Sequence, residues 1–221
     1  LCLYVCNLHG QTLDDSIVIT QGSDSYIFDD FTKKQLDTFT RAAAELEAGL
    51  EYKVIKHILN SAGIERFTDY QMDMVRLGIG LYGVSASGQK GLRNISTLKT
   101  TILQIQNVPT GDSIGYSRMS YVKRDSRIAI IPIGYADGLD RHFSNGGGEV
   151  VINGHRCPII GNICMDACMI DVTDIDAREG DTVIIFGEEL PVSELSGKLK
   201  TIPYEILTSI SPRVKRVYYR E

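Results

Sequence analysis

Around residue 90 the hydrophobic period of this chain changes, so it has to be built as two different kinds of structure in series. Upstream, Phe31, Leu36, Phe39, Ala43, Leu46 and Leu50 recur at helical spacing, with Asp29 or Asp30 to cap the start and Gly49 at the end. One helix is therefore expected over residues 29–50. A strand is expected over Tyr52–Leu59, ending at Asn60-Ser61-Ala62-Gly63, then a polar turn and the segment Met74–Gly83. This alternation of helix and strand is the mark of parallel β/α units. Downstream, Thr100–Val108, Arg127–Ile133, Glu149–Ile152, Cys168–Val172 and Thr182–Phe186 are short β-rich runs between Gly, Asp and Asn turns. A single short helix is expected there, at Val192–Leu199. The fold class is α/β plus all-β: parallel β/α units over residues 1–90, then a mostly antiparallel, barrel-like β domain over residues 91–221. The junction is placed between residues 85 and 95, in the Ser/Gly/Lys-rich stretch Ser85–Gly91.

The formal net charge of −5 gives no basic field for nucleic acid, and no strand pairs aromatic with basic residues. No apolar run reaches the roughly 18–20 residues of a membrane span. The opening Leu1–Cys6 is apolar but short, with no basic residues before it, so it makes a poor signal peptide. The chain opens on leucine, as a fragment would. Its five cysteines are odd in number and fit a reducing cytoplasm. Cys2 and Cys6 lack a second pair, and Cys164 and Cys168 have no histidine at ligand spacing, so no metal is expected.

Four short segments can carry chemistry, and each also has a plain structural explanation. His57, Asn60 and Ser61 stand at the C-terminal end of the expected strand, where α/β barrels place functional groups, yet Ser and Asn are also ordinary turn residues. In Arg76-Leu77-Gly78-Ile79-Gly80 the glycines allow backbone amides to approach an anion. Arg76 sits in an apolar run and needs a partner, for which His57 is a candidate. Tyr116 and Tyr135 follow glycines at strand ends, although most such phenols only pack. Asp166, in Gly161–Asp166, reads as a turn acid.

Taken together and in order, these segments resemble the bacterial alanine racemase family. The likeness runs through Asn60-Ser61-Ala62, Met74–Gly83, Gly115-Tyr116-Ser117, Ile131–Gly138, Gly161–Asp166, Ile202–Glu205 and Pro212-Arg213-Val214, and covers about residues 25–221. The resemblance implies a barrel that holds pyridoxal 5'-phosphate, a following β domain, and a head-to-tail homodimer with shared active sites. It implies a cytoplasmic isomerase that interconverts L- and D-alanine, a small amino-acid substrate, for the peptidoglycan of the cell wall. Carried onto this chain, Ser61 and the backbone of Gly78 and Ile79 hold the cofactor phosphate. Arg76 faces the ring nitrogen, supported by His57. Tyr116 is the catalytic tyrosine, and Tyr135 with the Met165 N–H holds the substrate carboxylate. A phenol ordinarily keeps its proton to about pH 10, so a tyrosine acting as a base needs positive charge close by.

Three departures stand out. The family's cofactor-binding lysine, followed a few residues on by Ala-Tyr-Gly, has no counterpart, so this polypeptide alone is expected to be inactive. Residues 1–22 are expected to lie outside the family pattern, including the place before Gly22–Ser25 where a histidine is usual. Pro212 stands where some relatives have a phosphate-contacting tyrosine. The alternatives are a non-catalytic remnant or dimerisation module, and a fold-related decarboxylase. The decarboxylase would want an acid where Arg76 stands.

Overall fold

The computed structural model describes residues 2–3, 29–88, 91–118 and 120–219. The expectations placed on residues 4–25 lie outside the described residues. The chain divides into two compact units, Leu1–Arg93 and Asn94–Glu221.

In the first unit, α1 spans Asp29–Ala48 and buries Leu36, Phe39 and Ala43. Asp29 and Asp30 lie in its first turn, where carboxylates favour the helix dipole, and Asp29 is ion-paired with Arg66. The apolar stripe is wider than the face this unit covers: Phe31 and Leu46 are exposed. The expected strand over 52–59 shortens to β2, Ile55–Lys56, where regular pairing is found among the described residues. β2 pairs in parallel with β1, Cys2–Leu3, and one parallel bridge joins His57 to Met74. Where the strand end gives way to an expected polar turn, a short helix forms instead, α2, Ser61–Arg66. The Asn60 side chain caps it by accepting from the Gly63 N–H at 3.0 Å. Met74–Gly83 forms no strand; a 3-10 turn covers Ile79–Tyr82, closed by Gly83.

Glu65 on α2 fastens the segment that follows. Its carboxylate accepts from Ser85 Oγ at 2.7 Å, Ala86 N–H at 3.1 Å, Ser87 N–H at 3.2 Å and the Ser87 hydroxyl. Burial works against the charge, but the serine hydroxyls and backbone amides outweigh it and hold the carboxyl below its ordinary 4.5. A lowered carboxyl stabilises the fold above the ordinary value and loses that contribution as pH falls through the folded one. Protection factors at Ala86 and Ser87 are expected to drop as the pH is taken below 4.5. Glu65→Ala should release both amides at neutral pH, at a cost of about 1–2 kcal/mol for this partly exposed group.

The second unit is built on a seven-stranded sheet, antiparallel at every pairing. Its strands are β3 (Leu98–Thr101), β4 (Gln104–Val108), β7 (Ser126–Ile131), β8 (Glu149–Ile152), β9 (His155–Ile160), β10 (Cys168–Asp171) and β11 (Thr182–Phe186). The order is β3-β11-β8-β9-β10-β7-β4. The two edge strands, β3 and β4, are consecutive in sequence and joined only by Ile102 and Leu103. Those link residues still pair, Ile102 N–H with the Asp181 carbonyl at 3.0 Å and Leu103 N–H with the Ile130 carbonyl at 2.9 Å. One bent segment thus supplies both edge strands of the curled sheet.

Register puts one apolar set inside. Ile131 faces Cys168, Ala129 faces Ile170, Val150 faces Cys157 and Ile152 faces Val183. Burying an aliphatic side chain in this way contributes about 1.5–3 kcal/mol. Burial pushes the Cys157 thiol up to about 11 and the Cys168 thiol up to about 12. At pH 8 each is almost wholly un-ionised, so alkylation should run at least roughly 100-fold slower in the folded chain than in urea, as peptide mass spectrometry would read.

The outer face carries a second cluster. Ile128, Val108, Ile160 and Met169 pack against Ile114 and Val122. Those two residues flank a small hairpin, β5 (Ser113–Ile114) with β6 (Ser120–Tyr121), which this cluster seats on the barrel. Behind the barrel, α3 (Val192–Leu199) and α4 (Pro203–Ser209) pack on each other.

Candidate functional site

The candidate residues fall into two groups, one in each unit. In the first, Ser61 is buried at the start of α2. Its Oγ accepts from the Gly78 N–H at 2.9 Å and from the Gly80 N–H at 3.2 Å. Two amides therefore converge on the Ser61 hydroxyl oxygen, whose own proton can be turned toward an anionic oxygen. Gly80, part of the glycine segment but not among the residues expected to hold the phosphate, supplies the second amide, while Ile79 between them is buried. Arg76 lies alongside: its backbone N–H reaches the Leu59 carbonyl at 2.8 Å and its Nη2 donates to the Ile58 carbonyl at 2.7 Å. The guanidinium is half-buried and fixed to the strand end that carries buried His57, not directed into solvent.

In the second unit, Tyr116 begins a 3-10 turn, Tyr116–Arg118, at the tip of the small hairpin and is 74% exposed. The segment behind it is tied down: Ser120 Oγ donates to Asn145 Oδ1, and Asn145 Nδ2 donates to Asn162 Oδ1 at 3.0 Å. Tyr135 and Met165 are brought together. The Tyr135 N–H donates to the Cys164 carbonyl at 3.1 Å, and the Ala136 N–H to the Met165 carbonyl at 3.0 Å. Gly134 allows this approach, since a Cβ there would stand 2.3 Å from the Cys164 oxygen. The Arg141 guanidinium lies 6.0 Å from the Tyr135 ring centroid, placing positive charge at this phenol.

Arg213 binds the two loops from outside. It donates from Nε to Asp137 Oδ1 at 2.7 Å and from Nη2 to Asp166 Oδ1 at 2.6 Å. These two carboxylates hold the guanidinium's proton affinity above its ordinary range. Arg213, Asp137 and Asn145 were not singled out from the sequence. Arg213 stands 76 residues from Asp137 and 47 from Asp166, so no local spacing signals the contact. Among the described residues no cluster of three His, Cys, Asp or Glu side chains is arranged to hold a metal. Among them, too, no helix is long and apolar enough to cross a membrane.

Residues 95–218 match the family model for the alanine racemase C-terminal domain, and residues 11–86 match that for the N-terminal domain. The chain belongs to the alanine racemase family. The N-terminal match begins at residue 11, which corrects the expectation that all of residues 1–22 depart from the alanine racemase pattern.

"Alanine racemase 2" of Caldanaerobacter subterraneus subsp. tengcongensis is 42% identical over 198 residues, covering 86% of this chain and 51% of that protein. The alanine racemase of Desulfovibrio desulfuricans is 37% identical over 223 residues, covering 98% of this chain and 60% of that protein. Among solved structures, the Bartonella henselae alanine racemase with covalently bound pyridoxal phosphate superimposes with a TM-score of 0.77 at 38% identity. That match covers 86% of this chain and 52% of the other. This chain thus spans about half the length of most alanine racemases it matches, and it has the family's fold: a partial β/α barrel followed by the C-terminal β domain.

Proposed function

We propose that this chain carries the cofactor-phosphate cradle and the substrate-facing β domain of a pyridoxal-phosphate-dependent alanine racemase. The observation that carries this reading is the convergence of the Gly78 and Gly80 amides on the Ser61 hydroxyl, beside the anchored Arg76 guanidinium. This donor set fits two parts of the cofactor. Ser61 and the backbone at Gly78–Gly80 suit its phosphate, and Arg76 suits a ring nitrogen that only accepts. The relative from Bartonella henselae was solved with that cofactor bound. When bound, it supplies an electron sink that acidifies the α-proton of an amino acid, and a cation at the ring nitrogen moderates that sink.

The residues of this chain then have separate tasks. Tyr116 gives or takes the α-proton on one face of the substrate. Tyr135 and the Met165 N–H orient the substrate carboxylate, with Arg141 adding positive charge. Racemisation needs a second acid/base group on the opposite face. In the family that group is a lysine followed by Ala-Tyr-Gly, and no lysine of this chain has that context. The 221-residue polypeptide by itself is therefore expected to give no turnover. The working enzyme would be a cytoplasmic homodimer in which one subunit's Tyr116 completes the other's site. It would interconvert L- and D-alanine, with the D-isomer feeding peptidoglycan precursors.

The test is a racemisation assay on two proteins. One is this chain alone, and the other is this chain fused behind the N-terminal stretch of the Caldanaerobacter relative. Turnover by the chimaera and none by the chain supports the reading. Turnover by the chain alone refutes the missing-base claim, and a folded, cofactor-loaded chimaera without turnover refutes the assignment of activity.

A further inference from the structure

We propose that Arg213 is a positioning residue that sets the spacing between the Tyr135 turn and the Met165 loop, and so aims the Met165 N–H at its ligand. The proposal rests on the reading above, in which Tyr135 and Met165 hold the substrate carboxylate. Arg213 uses different nitrogens for two carboxylates on two separate loops, at 2.7 Å to Asp137 and 2.6 Å to Asp166. A planar guanidinium fixes the distance and angle between the groups it bridges, which a lysine ammonium does not.

The geometry passes directly to the site. The second oxygen of Asp137 accepts from the Gly134 N–H at 2.9 Å, which fixes the residue before Tyr135. Asp166 directly follows Met165. The two loops are already in backbone register through Tyr135 with Cys164 and Ala136 with Met165. The Met165 carbonyl is thus occupied within the protein, while among the described residues its N–H has no acceptor, and the residue is 54% exposed. Arg213 is itself held from behind, since the Ser211 N–H donates to the Asp137 carbonyl at 3.0 Å. With the Arg213 side chain 46% exposed, the ion pairs add little net stability. Their effect is to hold an angle.

The experiment uses the full 221-residue chain, 15N-labelled, as wild type, Arg213→Met and Arg213→Lys. Two quantities are read: exchange rates of the Tyr135 and Ala136 amides, and the shift of the Met165 amide on titration with sodium acetate. Arg213→Met is expected to speed both exchanges at least tenfold and to at least halve the acetate shift at Met165. The Ile170 and Val183 amides inside the barrel should keep their rates. Arg213→Lys should recover only part of the protection at Tyr135 and Ala136, because an ammonium does not hold the two carboxylates at a fixed angle. Unchanged exchange in Arg213→Met overturns the proposal. So does lost protection that extends to Ile170 and Val183, which would make Arg213 a prop of the whole fold. If acetate fails to move Met165 in the wild type, the ligand-holding reading falls, while the exchange rates still decide whether Arg213 sets the loop spacing.

Discussion

Tyr116→Phe is expected to lower racemisation by the chimaera about 10²–10⁴-fold, the range lost when a positioned acid/base group is removed. The substitution deletes one hydroxyl and leaves the ring. Tyr116 is 74% exposed on its 3-10 turn, so that hydroxyl carries little of the fold. The hairpin is held instead by Ile114 and Val122 on the outer cluster. The change in stability should stay within about 0.5 kcal/mol. Initial rates in both directions, with urea unfolding alongside, separate chemistry from structure. Activity retained within threefold would remove Tyr116 from its role.

Gly138→Ala should be strongly destabilising in the second unit. Gly138 closes the turn that carries Tyr135, at φ +107°, and a Cβ there would lie 2.5 Å from the Ser209 carbonyl oxygen and 2.9 Å from Ile210 Cα. Backbone strain of about 1–2 kcal/mol adds to overpacking of about 1–3 kcal/mol, and the obstacle is backbone that no rotamer change can clear. Gly111→Ala is the control. Gly111 has φ +88° but nothing within 4 Å of its added Cβ, so it bears the strain without the collision. Urea titrations followed at the Ile170 and Val183 amides should show Gly138→Ala losing about 1–3 kcal/mol more than Gly111→Ala. Equal losses would mean that the end of α4 yields easily.

Helix α1 was readable because Leu36, Phe39 and Ala43 repeat at one helical face, and the β domain because its strands alternate. Other features were harder. β9 went unread although Asn153-Gly154, both at positive φ, mark a tight hairpin turn between β8 and β9. Pro158 argues against a strand, yet it pairs with Glu149 of β8 just past the last β9 pair with β10, Ile159 with Ile170. α4 carried a signal in Pro203 at its first turn. β2 shrank because a parallel strand's length depends on neighbours that its own residues do not specify. In the site, Ser61, Arg76, Tyr135 and Met165 could be named from ordered motifs. Arg213 could not, since its importance lies in contacts made 47 and 76 residues away.

The central claim is that Ser61, Gly78 and Gly80 form a phosphate cradle beside Arg76. Its most direct measurement is a 15N titration of this chain with pyridoxal phosphate, with phosphate-free pyridoxal as the control. The Gly78 and Gly80 amides should shift with the phosphorylated compound and hardly at all with pyridoxal, and Ser61→Ala should weaken that response at least tenfold. Saturable binding that leaves both amides unmoved, or that moves them equally with pyridoxal, would contradict it.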